Sequence, residues 1–235
     1  MKIGRLYIPD VDFPADAQQQ LAAYMAATGD SCSYIAHIGV EEPDKTTMQP
    51  GLLRLHAAIT ELSSDPDNGL AALYVAGAFE ELGQIEDTLA VLESLHAIGA
   101  PGCYTIPSEN PAFLAGWLLI DERRHAEAIR YYQLALGYNG MDKAAVWGHL
   151  GTVHHELGEF NHAISYYDQV LAELKNPPVV TSQQSDPKRR AEIEELEIRR
   201  KKEQELFIQQ LREAAAANRP IPNAIKRNQD GLTTA

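Results

Sequence analysis

The residues best suited to metal chemistry are four histidines in the second half of the chain. They are His149, His154, His155 and His162. Ligands carried by one helix must share a face, at a spacing of three or four residues. His149 and His154 are five residues apart, and the adjacent His154 and His155 point in different directions. The spacing therefore predicts ordinary helical histidines and no metal site.

Two pairs of neighbouring carboxylates and two cysteines are the other candidates for chemistry. They are Glu80-Glu81, Asp121-Glu122, Cys32 and Cys103. The acidic pairs stand at predicted helix ends, where such pairs are usually solvated surface. The cysteines lack a CxxC spacing, which predicts unpaired thiols in a reducing compartment, here taken as the cytoplasm. Neither set predicts an active site.

The sequence also lacks the short motifs of common enzyme classes. It contains no phosphate-binding P-loop, no glycine-rich dinucleotide fingerprint, no nucleophile elbow and no HExxH zinc motif. These absences predict a protein that is not an enzyme and that needs no cofactor.

Charge and hydropathy limit the partners. The formal net charge is −13, and the last 60 residues, 176–235, carry 11 basic against 9 acidic side chains. Residues 1–175 are therefore strongly acidic and would repel a phosphate backbone, which predicts no nucleic-acid ligand for them. No run approaches the ~18 apolar residues of a membrane span, and the N-terminus lacks an apolar signal-peptide core.

Residues 144–177 predict two amphipathic helices joined by a tight turn. The first has an apolar face at helical spacing: Val146, Trp147, Leu150, Val153 and His154. Gly158 ends it, because glycine adopts the left-handed conformation just past a helix at little cost. The second helix has its own face: Phe160, Ala163, Ile164, Tyr167, Val170 and Leu171. Two such helices predict an antiparallel hairpin in which Gly151 and Ala163 permit close approach.

Similar patterns recur upstream. Residues 126–136 repeat the second helix, with Ala128 in the place of Ala163 at an offset of 35 residues. A weaker copy covers residues 71–96, and the proline- and glycine-containing stretch 97–111 separates it from the next one. A single hairpin cannot bury both of its faces, so the sequence predicts three stacked hairpins.

The repeated unit resembles the tetratricopeptide repeat. That family has W-x2-L-G-x2-Y followed by A-x3-F in about 34 residues. Here Trp147, Leu150-Gly151 and His154 are followed by Ala163 and Tyr167. The resemblance implies an all-α fold, an α-solenoid of about three helix hairpins. The flanking sequence adds an N-terminal helical cap and a long C-terminal helix.

Five segments follow from these patterns. They are an N-terminal arm and helical cap over 1–69, with a possible degenerate repeat; the repeat array over 70–177; a linker over 178–186; a charged helix over 187–217; and a disordered tail over 218–235. The arm, residues 1–14, is either extended or one short strand. The charged helix carries a short apolar patch that can dock on the array or on a partner: Leu206, Phe207, Ile208 and Leu211.

The resemblance also implies a concave groove lined by the first helix of each repeat. Its partner-binding residues are then Leu73, Glu80, Phe113, Trp117, Ile120, Thr152 and His155. Phe113 and Trp117 are four residues apart and share one helix face, where they are expected to form an aromatic pocket. The implied lining carries no Lys or Arg, so capture of a terminal carboxylate is not expected.

Two functions fit this family. The first is a non-enzymatic adaptor or assembly factor that binds a segment of a partner protein in the groove. The second is a cytosolic chaperone that shields an apolar partner before secretion or assembly. The groove could instead be filled by the chain's own N-terminal arm or C-terminal helix.

Overall fold

The computed structural model describes residues 1–28, 50–99, 110–139, 141–175 and 187–221. These residues form two compact units, Met1–Asp121 with Gly137–Met141, and Glu122–Leu136 with Asp142–Ala235. Within the described ranges, nine helices and a single pair of two-residue strands are present, so the expected all-α fold of the solenoid class is confirmed. Cys32, Cys103 and the predicted linker lie outside the described residues.

The first unit begins with a small hairpin. The antiparallel strands β1 (Lys2–Ile3) and β2 (Leu6–Tyr7) are joined by a tight turn in which Gly4 has a φ of 58°. A positive φ is cheap only for glycine, so the chain can reverse there. The Tyr7 amide donates to Ser94 Oγ at 2.8 Å, which docks the hairpin on the fourth helix. The expectation of an extended arm or one strand is thus replaced by a folded-back hairpin.

Five helices complete the first unit. They are α1 (Ala17–Thr28), α2 (Pro50–Ser64), α3 (Gly69–Glu81), α4 (Ile85–Ile98) and α5 (Pro111–Asp121). Leu21 of α1 packs on Leu53 and Ala57 of α2. Next, α2 packs on α3, where Arg54 forms an ion pair with Glu81. The predicted arm and cap therefore belong to the same unit as the first helix hairpin.

Side-chain caps fix where the first helices of the hairpins begin. Asn68 Oδ1 accepts a hydrogen bond from the amide of Ala71 at 3.0 Å, at the start of α3. The buried Asn110 does the same for the amide of Phe113, at 2.9 Å, before α5. Such caps satisfy amides that the helix itself leaves without partners, and each contributes about 1 kcal/mol.

The second unit contains the strongest repeat. Its helices are α6 (His125–Ala135), α7 (Lys143–Glu156), α8 (Phe160–Leu174) and α9 (Pro187–Ala216). At Gly151 of α7, an added Cβ would stand 2.5 Å from Cε1 of the buried Tyr167 ring on α8. The hairpin therefore closes on this glycine, as expected from the small residues at the helix crossing.

The second half of α9 covers the outer face of α8. Ile208, Leu211 and Ala215 share a core cluster with Tyr167 and Val170. Arg212 forms an ion pair with Asp168 at 2.5 Å, and the backbone beyond α9 reaches the end of α7 at His155, so α9 runs antiparallel to α8. The predicted apolar patch thus docks on this chain through Phe207, Ile208 and Leu211, while Leu206 remains 58% exposed.

The predicted disordered tail begins too early. Residues 218–221 turn back after α9, with Asn218 at a φ of 51°, and Ile221 is buried in the same cluster as Ala144 and Tyr167. The sequence pattern assigns these residues to the tail because a polar stretch follows the helix. One apolar residue, Ile221, anchors this stretch in the core, although the stretch as a whole is polar. Residues 222–235 lie outside the described part of the chain.

Candidate functional site

An open groove lies in the first unit, between the first helices α3 and α5, with α4 as its floor. Its volume is about 340 Å³. Most of the side chains that line it are apolar. The lining consists of Leu70, Leu73, Tyr74, Ala76, Gly77, Glu80, Thr88, Leu92, Leu114, Trp117 and Leu118. The groove can therefore accept an apolar side chain, with one carboxylate at its rim.

Gly77 keeps the middle of the groove open. It is exposed, and no heavy atom lies within 4 Å of the position that a Cβ would take. Trp117 stands on α5 as a half-buried wall of the same groove. A large aromatic side chain beside open space is the kind of residue that anchors a partner in many interfaces.

Glu80 gives the groove its charge. Partial burial raises the pKa of the Glu80 carboxyl above its ordinary value, and the negative charge of Asp121 raises it further. Both groups belong to the first unit. A positive charge placed beside Glu80 would offset both effects, so this end of the groove favours a basic group in a ligand.

The structure distributes the seven predicted partner-binding residues among three environments. Leu73, Glu80 and Trp117 line the groove. Within the described residues, Phe113 and Ile120 are not part of its lining: Phe113 is buried, and Ile120 is half-buried. The expected pocket of Phe113 with Trp117 therefore gives way to one of Trp117 with Leu114, because residues three apart on α5 also share a face.

The remaining two predicted residues, Thr152 and His155, are buried in the second unit. Thr152 is 5% exposed and His155 is 2% exposed. His155 Nε2 lies 2.7 Å from the carbonyl oxygen of Arg219, and its Nδ1 lies 3.3 Å from the Tyr167 hydroxyl. The chain's own residues 218–221 therefore occupy this end of α7, and His155 can meet a partner only after that segment leaves.

The other histidines of this repeat have separate environments. The ring of His149 stacks on Tyr132 with centroids 5.3 Å apart, and burial lowers its pKa to about 4. His154 and His162 both face Glu159 across the turn between α7 and α8. Sequence spacing along one helix could not reveal this arrangement, because Glu159 stands on the turn and His162 on the next helix.

Sequence reasoning also missed Tyr74 and Leu114 as groove residues. Both are one helical turn or less from a predicted lining residue, Leu73 and Trp117 respectively. Because the helical period is 3.6 residues, side chains on either side of a predicted stripe also line the groove. The sequence contains the information needed to include them.

No described helix is long and apolar enough to cross a membrane.

Comparison with known proteins supports the repeat assignment. Two family models, both described as tetratricopeptide repeat, match residues 146–180 and residues 112–140. No curated protein matches the chain. Among solved structures, MamA aligns over 52% of this chain and 68% of its own, with 20% sequence identity and a TM-score of 0.42. The copy at 71–96 remains a prediction, which the α3–α4 hairpin accommodates. Because both matched ranges coincide with predicted helix hairpins, the chain contains tetratricopeptide repeats over these two ranges.

Proposed function

We propose that this protein is a non-enzymatic adaptor that binds a short segment of a partner protein in the groove between α3 and α5. Tetratricopeptide repeats are protein-interaction modules, and the repeats here support that general role. The observation that carries the specific proposal is the open groove over Gly77, which is bordered by Leu73, Glu80 and Trp117.

The chemistry of the groove defines the kind of segment that fits. A volume of about 340 Å³ suits one or two apolar side chains rather than a folded surface. Glu80, which already experiences the negative charge of Asp121, favours a Lys or Arg beside those side chains. The segment is therefore apolar with an adjacent basic residue, and the acidic body of the protein disfavours nucleic acid.

The groove favours an adaptor over a chaperone. Shielding an apolar partner before secretion or assembly requires a broad apolar surface, whereas this groove is narrow and ends at a carboxylate. A partner with one short recognition motif supports the adaptor. A partner that is bound only while it is unassembled and apolar supports the chaperone. The expected location, from the cysteine content, is the cytoplasm.

The test uses two matched glycine variants. Gly77→Phe places a ring inside the groove, and Gly148→Phe places the same ring on α7, where no heavy atom lies within 4 Å of a Cβ. A photo-crosslinking residue at position 73 captures the partner in native cells, and mass spectrometry locates the crosslinked peptide.

We expect the Gly77→Phe background to abolish crosslinking at position 73 and the Gly148→Phe background to preserve it. Both variants should keep the circular dichroism of the parent protein, because neither Cβ meets another atom. Equal crosslinking in the two backgrounds would show that partners bind elsewhere. A crosslinked peptide without a basic residue would refute the role assigned to Glu80.

A further inference from the structure

Three potential metal ligands meet at the turn between α7 and α8. His154 belongs to the last turn of α7, Glu159 is the residue before α8, and His162 belongs to the first turn of α8. His154 Nδ1 lies 2.5 Å from Glu159 Oε2, and His162 Nδ1 lies 3.5 Å from the same oxygen. Both imidazoles therefore converge on a single carboxylate oxygen, and all three residues belong to the second unit.

These distances are close to those of a metal centre. With bonds of about 2.0–2.2 Å in a tetrahedral site, neighbouring ligand atoms stand about 3.3 Å apart. The separation of His162 from Glu159 already fits, and the ligand atoms of the whole group lie within 4.8 Å of one another. For an ion to bind, His154 Nδ1 and Glu159 Oε2 must move apart by less than an ångström. A small rotation of the half-exposed Glu159 side chain allows this.

The surroundings hold one ligand in place and leave the others accessible. His154 is 9% exposed, and its ring stacks on that of Tyr166 with centroids 5.4 Å apart. The side chains of Glu159 and His162 are 48% and 71% exposed. An ion from solvent can therefore reach a ligand that is already oriented, which lowers the entropic cost of forming the site.

The donor set indicates the class of ion. Two imidazole nitrogens and one carboxylate oxygen suit first-row transition ions, whereas Mg²⁺ and Ca²⁺ prefer oxygen ligands alone. Among the residues that the structure describes, this is the one group of three His, Cys, Asp or Glu side chains close enough to share an ion. We propose that His154, Glu159 and His162 bind a divalent transition ion such as Zn²⁺ at the α7–α8 turn.

Three protein ligands leave one tetrahedral position for water or for a side chain of a partner. Because the ligands come from both helices of the hairpin and from the turn between them, a bound ion joins the two helices. It therefore stabilises the folded second unit and raises its unfolding temperature as the ion concentration increases. This proposal is independent of the groove in the first unit.

The experiment measures binding of Zn²⁺ alone to the full-length chain by isothermal titration calorimetry, in a buffer without chelating groups. The two test variants are His162→Ala, at the most exposed ligand, and Glu159→Gln, which keeps an oxygen acceptor for His154 but removes the charge. The matched control is His125→Ala, since His125 faces Glu156 at 3.6 Å in another histidine–glutamate pair of the same unit.

We expect the parent protein and His125→Ala to share one strong zinc site, and each test variant to lose about tenfold or more in affinity. Zinc should raise the melting temperature of the parent protein and leave that of His162→Ala unchanged. Mg²⁺ at the same concentration should do neither. The variant His162→Gln serves if His162→Ala fails to fold.

Four results would overturn the proposal. The first is the absence of zinc binding by the parent protein when zinc is in large excess. The second is equal affinity in the parent protein and both test variants, which would assign the binding to other histidines. The third is an equal loss of affinity in His125→Ala. A melting temperature that falls in Glu159→Gln without any change in zinc affinity would show that the cluster is a hydrogen-bonded one only.

Discussion

The first helices of two helix hairpins, one hairpin in each unit, offer opposite surfaces. In the first unit, α3 leaves Gly77 exposed and borders an open groove. In the second unit, Thr152 and His155 of α7 are buried, and the residues that follow α9 contact His155. Both helices are the first of a helix hairpin, so the hairpin architecture itself does not decide which face remains open. The segment that follows the last repeat makes the difference.

The largest expected effect comes from weakening the contact between α9 and α8. Leu211→Ala deletes a side chain that is fully buried against Tyr167 and Val170, and should lower the free energy of unfolding by about 2–5 kcal/mol. Leu206→Ala, on the same helix but 58% exposed, should change it by about 0.5 kcal/mol or less. Urea unfolding monitored by circular dichroism compares the two. Equal small effects would show that α9 does not stabilise the hairpin.

A pair of glycines tests the closed helix crossing against the open groove. Gly151→Ala drives a methyl group into the Tyr167 ring and should cost about 1–3 kcal/mol. Gly77→Ala meets no atom within 4 Å, so it should stabilise α3 by about 0.5–1 kcal/mol through the higher helix propensity of alanine. Thermal melts of the two variants should therefore shift in opposite directions, and a shift of the same sign would contradict the comparison.

Opening the covered face is the third test. Ile221→Ala removes a buried side chain near the end of the described chain, where neighbouring residues can partly collapse, so we expect a loss of about 1–2 kcal/mol. The exposed neighbour Pro220→Ala is the control. In Ile221→Ala, His155 should become reactive toward an imidazole-modifying reagent, as measured by peptide mass spectrometry. Protection of His155 equal to that of the control would mean that Ile221 does not hold the segment down.

The smallest effect concerns the charge of the open groove. Because burial and Asp121 raise the pKa of Glu80, the folded state binds the proton of this group more tightly than the unfolded state does. The group therefore favours folding below its unfolded pKa and loses that contribution as pH rises through its folded pKa. Glu80→Gln should raise the melting temperature slightly at a pH well above the folded pKa and have no effect at a pH below the unfolded one. The same rise at both values would exclude a charge effect.

Hairpin positions could be predicted from the sequence because they depend on local signals. Trp147, Leu150 and Gly151 place the helix face, and Gly158, at a φ of 73°, ends the first helix where the sequence predicted. The charged helix predicted over 187–217 matches α9 to within one residue at its C-terminal end, because Pro187 and Pro220 mark its limits. These features need only the 3.6-residue period and the conformational freedom of glycine.

The surfaces could not be predicted in the same way, because they depend on contacts between residues far apart in sequence. Burial of His155 requires Arg219, 64 residues away. The convergence of His154 and His162 requires the particular path of the turn at Glu159. Helical periodicity states which residues share a face, but not which segment covers that face. Phe113 was therefore assigned to a groove although it is buried.

The packing of α9 on α8 has a consequence for protein engineering. Ile208 and Leu211 occupy the apolar surface of the last hairpin on which one more hairpin would stack. Appending designed modules to this end would therefore require excision of residues 187–221. In a fusion that retains them, the appended modules would fold as a separate unit and would not stack on the last hairpin. A truncated chain that ends at Lys175 would expose the same surface and would be expected to self-associate through it.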